Sequence, residues 1–145
     1  YGEPKQLDYV GLVDFLGEGY RVIRPYLFTS YHPNDKPEGF HHALKMEAGY
    51  RVTAKPTRER GDGRIEKGVD IELATELIAQ GFNDSYEVAM IVSGDADYTR
   101  AIRYVQDQGK TVIGATFDET ASGDLKQAVD EFIDLGDHSE DIRRD

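Results

Sequence analysis

Apolar residues along this chain change repeatedly from helical spacing to short, nearly continuous runs. Two of these runs, at 87–92 and 111–115, are apolar on both faces, as buried parallel strands are. Glycines and prolines mark the ends of most segments. The pattern predicts helices over 7–16, 40–48, 68–80, 98–108 and 125–132, strands over 20–28, 50–55, 87–92 and 111–115, and loops over 31–39 and 56–67.

Two residues qualify these boundaries. Pro25 lacks a backbone N–H and interrupts the first predicted strand, which favours an edge position or a bulge there. Gly81 follows the helix predicted over 68–80, and glycine is the residue that most often ends a helix. We therefore expect the first strand to be irregular and this helix to end at Gly81.

Helices and strands alternate along the chain, which predicts an α/β fold with a mostly parallel sheet and helices on both faces. Such folds bind ligands beyond the carboxyl ends of their strands, where the strand order reverses. The length of 145 residues favours one domain. We place this domain over 1–135 and expect a frayed polar tail over 136–145.

The amino-acid composition limits the cellular compartments and the classes of partner that the chain fits. The chain contains no cysteine, which excludes disulfides and thiolate metal sites and fits a cytoplasmic location. No run of 18 apolar residues occurs, and the start of the chain resembles no signal peptide. The net charge of -11 disfavours tight nonspecific binding to nucleic acid. It is typical either of a surface adapted to high salt or of acids that form a cation site.

Carboxylates are grouped where the predicted sheet would hold a ligand. Asp95 and Asp97 directly follow a predicted strand, and Asp70 lies in the first turn of a predicted helix. Hard oxygen ligands of this kind suit Mg²⁺ and Mn²⁺. We expect Asp70 to share the inward face of its helix with Ala74 and Leu77, where a carboxylate needs a cation or hydrogen-bond donors.

Each of these acids also has a purely structural interpretation. Asp97 occupies a position typical of an N-cap, Asp95 fits a solvated turn, and Asp70 would interact favourably with the N-terminus of its helix. Ser93 is placed either to bind a phosphate or to stabilise the turn with its hydroxyl. Glu76 lies roughly 120° round the helix from Asp70, so a solvated position is favoured for it.

A basic segment precedes the helix that carries Asp70. Six Lys or Arg residues fall within 51–67 against three acidic residues, which gives a local charge of +3. The segment fits either a loop that follows a phosphate backbone or an ordinary solvated loop. Its basic residues are Arg51, Lys55, Arg58, Arg60, Arg64 and Lys67.

Three segments of the chain resemble a known family. They read KGVDIELATEL at 67–77, MIVSGDADYTRAIRYVQDQGKTVIGATF at 90–117 and SGDLKQAVDEFIDL at 122–135. They resemble the NYN domains of the LabA-like group, within the PIN-like superfamily. The combination of KGVD with SGDxD at this distance is the most specific feature of the resemblance.

The resemblance implies a Rossmann-like sheet and an acidic pocket that binds Mg²⁺ or Mn²⁺ and cleaves RNA in active members. The acidic positions of the family fall on Asp70, Asp95 and Asp97, which are thereby implied to be metal ligands and catalytic residues. Glu76 stands where the family more often has Asp and is a candidate accessory acid.

The resemblance also implies a strand that precedes residue 1. Family members begin with a central strand that ends in an Asp-x-x-Asn-like motif, and the Asp of that motif belongs to the metal site. We therefore expect the first strand and one metal ligand to be missing from these 145 residues.

We hypothesise a metal-dependent endoribonuclease that hydrolyses RNA phosphodiester bonds, with Ser93, Arg64 and Lys67 as candidate substrate-binding residues. The alternative is a catalytically silent RNA-binding or protein-interaction module of the same fold. The acidity of the chain favours this alternative, and the grouped carboxylates oppose it. A homo-oligomer or a protein partner stays open. A phosphatase would need a nucleophile motif, and a Toprim-like nuclease a glutamate after an early strand, and we find neither.

Overall fold

The structure of the protein, a computed structural model, describes residues 8–60, 63–65, 68–138 and 142. The chain divides into a smaller unit, Gly19–Leu73, and a larger unit, Tyr1–Glu18 with Ala74–Asp145. Helix α3, Val69–Phe82, begins in the smaller unit and continues without a break into the larger one. The predicted single domain over 1–135 stays a prediction.

The larger unit contains a parallel sheet in the order β5-β6-β7, formed by Val88–Ile91, Thr111–Thr116 and Glu131–Asp134. The central strand β6 is buried from its second residue onward. Because the strands are parallel, the segments that follow β5 and β6 leave the sheet at the same edge. Besides its part of α3, the described part of this unit includes the α-helices α1 (Tyr9–Leu16), α4 (Thr99–Asp107) and α5 (Gly123–Ala128).

The core of the larger unit joins its first helix to residues near its end. Leu12 of α1 belongs to one buried cluster with Phe117 and Ile142. The carbonyl oxygen of Ile142 accepts a hydrogen bond from the backbone N–H of Asp8 at 2.6 Å. Ile142 is fully buried, and such burial of an isoleucine stabilises the fold by about 1.5–3 kcal/mol. The expectation of a frayed tail over 136–145 is therefore wrong at Ile142.

The smaller unit pairs two parallel strands, β1 (Tyr26–Tyr31) and β2 (Arg51–Pro56), which are connected through helix α2 (Glu38–Ala48). The strand predicted over 20–28 therefore begins later than expected. The irregularity expected at Pro25 is the start of the strand, because proline has no N–H to donate to the ladder.

Two further strands, β3 (Arg58–Arg60) and β4 (Gly63–Ile65), form an antiparallel pair. The prediction of a loop over 56–67 is wrong for this hairpin. Charged side chains conceal the strands in the sequence, because β-propensity depends on the partner strand as much as on the residue itself. Residues 61–62 and 66–67 of the predicted loop lie outside the described residues.

Helix α3 continues through the glycine that the sequence predicts as its end. A Cβ atom on Gly81 would lie 2.8 Å from the hydroxyl oxygen of Tyr86 and 2.9 Å from Cγ1 of Val105. Gly81 therefore serves close packing within the helix. The helix ends at Phe82, and Asp84 beyond it takes a positive φ of 58°.

The segment between α5 and β7 also differs from its prediction. Helix α5 ends at Ala128 and β7 begins at Glu131, although the pattern predicts a helix over 125–132. Asp130 explains the difference, because its Oδ2 accepts a hydrogen bond from the backbone N–H of Val112 at 2.8 Å. Its own backbone N–H donates to the carbonyl oxygen of Val112 at 2.8 Å. These bonds attach the chain to β6 and commit it to a strand.

The mixed α/β class with parallel strands is confirmed, although the parallel strands form two sheets. Within the described residues, β5 pairs with β6 alone. The expected first strand stays a prediction. None of the helices in the described part of the chain combines the length and the apolar character needed to cross a membrane.

Tyr86 provides a test of the packing between α3 and the segment that follows it. Its hydroxyl donates a hydrogen bond to the carbonyl oxygen of Leu77 at 2.7 Å, and burial raises the pKa of Tyr86 to about 12. An unfolded tyrosine ionises at about pH 10. The stability that neutral Tyr86 contributes is therefore complete below pH 10 and is lost as the pH rises towards 12.

We predict that Tyr86→Phe lowers the free energy of unfolding by about 1 kcal/mol at pH 8, through loss of the hydrogen bond. The difference from wild type should shrink at about pH 11. Urea unfolding of both proteins at the two pH values measures it, and the contributions of all other groups cancel in the comparison. A difference that is unchanged or larger at the higher pH would contradict the raised pKa.

Candidate metal centre

The loop that leaves strand β5 holds two of the three candidate acids. Asp95 is the N-cap of a short 3₁₀ helix, Ala96–Tyr98, and its Oδ1 accepts a hydrogen bond from the backbone N–H of Asp97 at 2.9 Å. The backbone N–H of Asp95 donates to Oγ of Ser93 at 3.2 Å. Tyr98 is buried, and α4 begins directly after it. These contacts fix the orientation of the Asp95 carboxylate within the loop.

A second loop, which follows β6, supports the first through backbone contact. The carbonyl oxygen of Gly94 accepts a hydrogen bond from the backbone N–H of Ser122 at 2.9 Å. A Cβ atom on Gly94 would lie 2.6 Å from the carbonyl oxygen of Thr120 and 2.8 Å from Cα of Ala121. Side-chain atoms do not approach backbone so closely. The two loops therefore meet at a point where only glycine fits.

Helix α3 supplies the third acid. Asp70 lies in its first turn and is exposed, whereas the neighbouring Val69 is the buried residue of that turn. The expectation that Asp70 faces inward is therefore wrong. Gly68 precedes the helix with a φ of +87°. Lys55 Nζ of β2 lies 3.2 Å from Oε1 of Glu72, which ties the same turn to the sheet of the smaller unit.

The structure brings Asp70, Asp95 and Asp97 together. One carboxylate oxygen of each residue lies within 4.8 Å of the other two. Asp70 lies one helical turn before Ala74. From Ala74 onward, α3 belongs to the same unit as the loop. All three side chains are exposed, so they are accessible to a cation and to a large anionic substrate. Three oxygen ligands at this spacing fit a divalent cation that retains several waters, as Mg²⁺ does.

The other candidate residues are placed differently. Ser93 is half-buried, and its hydroxyl accepts the Asp95 N–H, which supports the turn-stabilising interpretation. Glu76 is not a member of the acidic group, and its Oε2 accepts a hydrogen bond from Nε2 of Gln80 at 3.1 Å. Arg64 lies in β4, but its side chain, like the whole of Lys67, lies outside what the structure describes. The substrate-binding and accessory roles stay predictions.

One feature of the loop differs from its prediction, and another was not predicted. Asp97 is not the N-cap, because a 3₁₀ turn precedes α4 and Asp95 caps that turn. Tyr98 takes the N-cap position of α4 without a side-chain hydrogen bond. The contact between Gly94 and Thr120 was not predicted from the sequence, where the local signal for it is a glycine placed between a strand and two acids.

Comparison with known proteins establishes the family. Residues 1–136 match the NYN domain, which covers almost the whole chain. The chain therefore belongs to the NYN domain family, a PIN-like nuclease family. This result confirms the resemblance found in the sequence.

Two individual proteins are similar to the chain. The low amplitude and bright protein LabA of Synechococcus elongatus is 26% identical over 122 residues, which are 80% of this chain and 64% of LabA. The chain thus spans less than two thirds of the length of LabA. The crystal structure of a protein of unknown function from Vibrio parahaemolyticus has a TM-score of 0.75 at 23% identity, over 95% of this chain and 82% of that chain. The second likeness shows a shared fold.

We predict that Gly94→Ala destabilises the protein by about 1–3 kcal/mol, the usual cost of overpacking. The added methyl group would have to displace the backbone of Thr120 and Ala121 rather than a flexible side chain. Thermal or urea unfolding measures the change.

Gly123→Ala is the matched control for this substitution. A Cβ atom on Gly123 meets nothing within 4 Å, and the residue opens helix α5, where alanine is favourable. Its stability should equal or slightly exceed that of wild type. Equal losses for the two substitutions would contradict the close approach at Gly94.

Proposed function

We propose that the chain is a metal-dependent endoribonuclease that hydrolyses RNA phosphodiester bonds at Asp70, Asp95 and Asp97. The proximity of these three exposed carboxylates carries the proposal. Membership of the NYN family supports it, because this is a PIN-like nuclease family. Mg²⁺ or Mn²⁺ is the proposed cofactor, since both prefer oxygen ligands.

In this proposal the three carboxylates hold the cation, and their surroundings keep them in position. The Asp97 N–H already orients Asp95 through Oδ1, so little reorganisation of that side chain accompanies binding. The contact of Gly94 with the loop after β6 restricts movement of the same segment. A bound divalent cation would lower the pKa of a coordinated water and stabilise charge on the phosphate during in-line hydrolysis.

The proposed substrate contacts come from residues near the acids in the sequence. Arg64 and Lys67 belong to the basic segment over 51–67 and would neutralise backbone phosphates. Ser93 precedes the acidic residues of the loop and is a further candidate for a phosphate contact. Glu76 is proposed as an accessory acid.

The alternative is a catalytically silent RNA-binding or protein-interaction module. The net charge of -11 favours its protein-interaction form, because a strongly acidic chain repels nucleic acid. A silent module has no need of a cation at its carboxylates, so metal affinity separates the two functions. A cytoplasmic location and a homo-oligomer or protein partner stay predictions.

Asp95→Asn tests the metal centre with little disturbance of the loop. Asparagine is as good an N-cap as aspartate, so its side-chain oxygen can still accept the Asp97 N–H while the charge is lost. We predict that Mn²⁺ affinity, measured by titration calorimetry, falls at least about tenfold, because even changes outside the direct ligands cost that much at metal sites.

Asp107→Asn is the matched control for the titration. Asp107 is an exposed carboxylate at the end of α4 and lies outside the acidic group. This variant should bind Mn²⁺ as wild type does. A wild-type protein that binds no Mn²⁺ would overturn the metal centre and favour the silent module.

Cleavage of RNA tests the activity itself. Labelled single-stranded and structured RNAs are incubated with the protein in Mn²⁺, in Mg²⁺ and in EDTA. We predict cleavage only with a divalent cation, at the EDTA level for Asp95→Asn and at the wild-type level for Asp107→Asn. Cleavage that persists in EDTA, or that Asp95→Asn leaves unchanged, would contradict the proposed mechanism.

A further inference from the structure

Charge is divided very unevenly between the two units of the chain. The smaller unit, Gly19–Leu73, carries ten Lys and Arg against eight Asp and Glu. The remainder of the chain carries seven against twenty. A polyanion is attracted to local rather than to average charge. The smaller unit is therefore the part of this acidic protein with the more favourable charge for an RNA backbone.

The smaller unit also presents stacked rings beside a guanidinium group. Tyr26 and Phe28 are two residues apart on β1, so their side chains lie on the same face of the sheet. Their ring centroids are 6.0 Å apart and their planes differ by 2°. Arg51, the partner of Tyr26 in the parallel register, places its guanidinium carbon 5.9 Å from the Tyr26 ring centroid. Both aromatic side chains are partly exposed and Arg51 is exposed.

The segment that enters this strand extends the same chemistry. Arg21 and Arg24 are exposed, and the two apolar side chains between them, Val22 and Ile23, are 47% and 64% exposed. Tyr20 is 48% exposed. Exposed aromatic, apolar and arginine side chains in one segment are typical of surfaces that stack bases and pair with phosphates.

We propose that Tyr26, Phe28 and Arg51 form a platform that binds single-stranded RNA by stacking its bases. The proposal takes RNA as the ligand from the proposed function, but it requires no metal and no cleavage. Unpaired bases expose the faces that aromatic rings stack on, whereas a duplex hides them. The excess of Lys and Arg in the smaller unit favours an anionic strand over an apolar protein partner.

Fluorescence anisotropy with a labelled 12-nucleotide single-stranded RNA in EDTA tests the platform in the full chain. We expect Tyr26→Leu and Phe28→Leu each to weaken binding about tenfold, within the range for loss of one stacked base. Arg51→Gln should reduce the slope of log affinity against log salt by about 0.7, the value for one phosphate contact on a single strand. Thermal unfolding confirms that each variant is folded.

Tyr104→Leu is the matched control, because it removes a similar pair from the acidic unit. Tyr104 lies on α4, and the guanidinium carbon of Arg100 is 5.7 Å from the centroid of its ring. Its side chain is 43% exposed. This variant should bind the RNA as wild type does.

The outcomes separate the platform from the nuclease. The platform is overturned if the wild-type protein does not bind single-stranded RNA or binds duplex RNA equally well. It is also overturned if neither leucine substitution changes binding. Equal losses for Tyr26→Leu and the Tyr104→Leu control also overturn it. Binding in EDTA by a protein that never cleaves RNA supports the platform and rejects the nuclease, whereas metal-dependent cleavage without such binding does the reverse.

Discussion

Mutual repulsion of three carboxylates is the constraint on which the rest of the candidate site depends. Asp70, Asp95 and Asp97 bring like charges within 4.8 Å, an arrangement that side chains left to themselves would relax by turning apart. The backbone opposes this for Asp95, because the Asp97 N–H holds one oxygen. Exposure to water lowers the free-energy cost of this repulsion, and a bound divalent cation would make the net interaction favourable.

The position of the loop depends in turn on packing between backbones. Gly94 lies so close to Thr120 and Ala121 that the loops after β5 and β6 cannot move independently without losing contact. Asp130 anchors the chain to the first residues of β6 through hydrogen bonds with Val112. The position of the acidic loop is therefore determined by the parallel sheet of the larger unit, which the loop leaves at the end of β5. It is also determined by backbone contact with the loop after β6.

Local signals in the sequence were enough to predict the α/β alternation and the grouping of the three acids. A strand that is apolar on both faces followed by two aspartates is a local pattern, and so is an aspartate in the first turn of a helix. The wrong predictions depend on distant contacts instead. Gly81 stays helical because Tyr86 and Val105 pack on it, and Ile142 is buried by the core of α1 and β6. Neither the packing of Val105 on Gly81 nor the burial of Ile142 can be recognised from the residues that lie next to Gly81 and Ile142 in the sequence.

Asp70 is a further position where burial differs from the prediction. Helical periodicity from Ala74 and Leu77 places Asp70 on the inward face, but the first turn of the helix, which begins at Val69, does not follow that periodicity. Val69 takes the buried position there, and Asp70 is exposed. The consequence favours function, because an exposed carboxylate can exchange ligands with water and substrate, whereas a buried one would need a permanent partner.

Net charge alone could not decide between a nuclease and a silent module, because it averages over two unlike units. The acidity that opposes RNA binding belongs to the larger unit, with seven Lys and Arg against twenty Asp and Glu, and includes Asp95 and Asp97. The smaller unit has a slight excess of positive charge. A protein that binds RNA through basic and aromatic side chains and cuts it at acids compensated by a cation needs this division. In such a protein the acidity of the whole chain is compatible with a polyanionic substrate, since attraction and catalysis would use different residues.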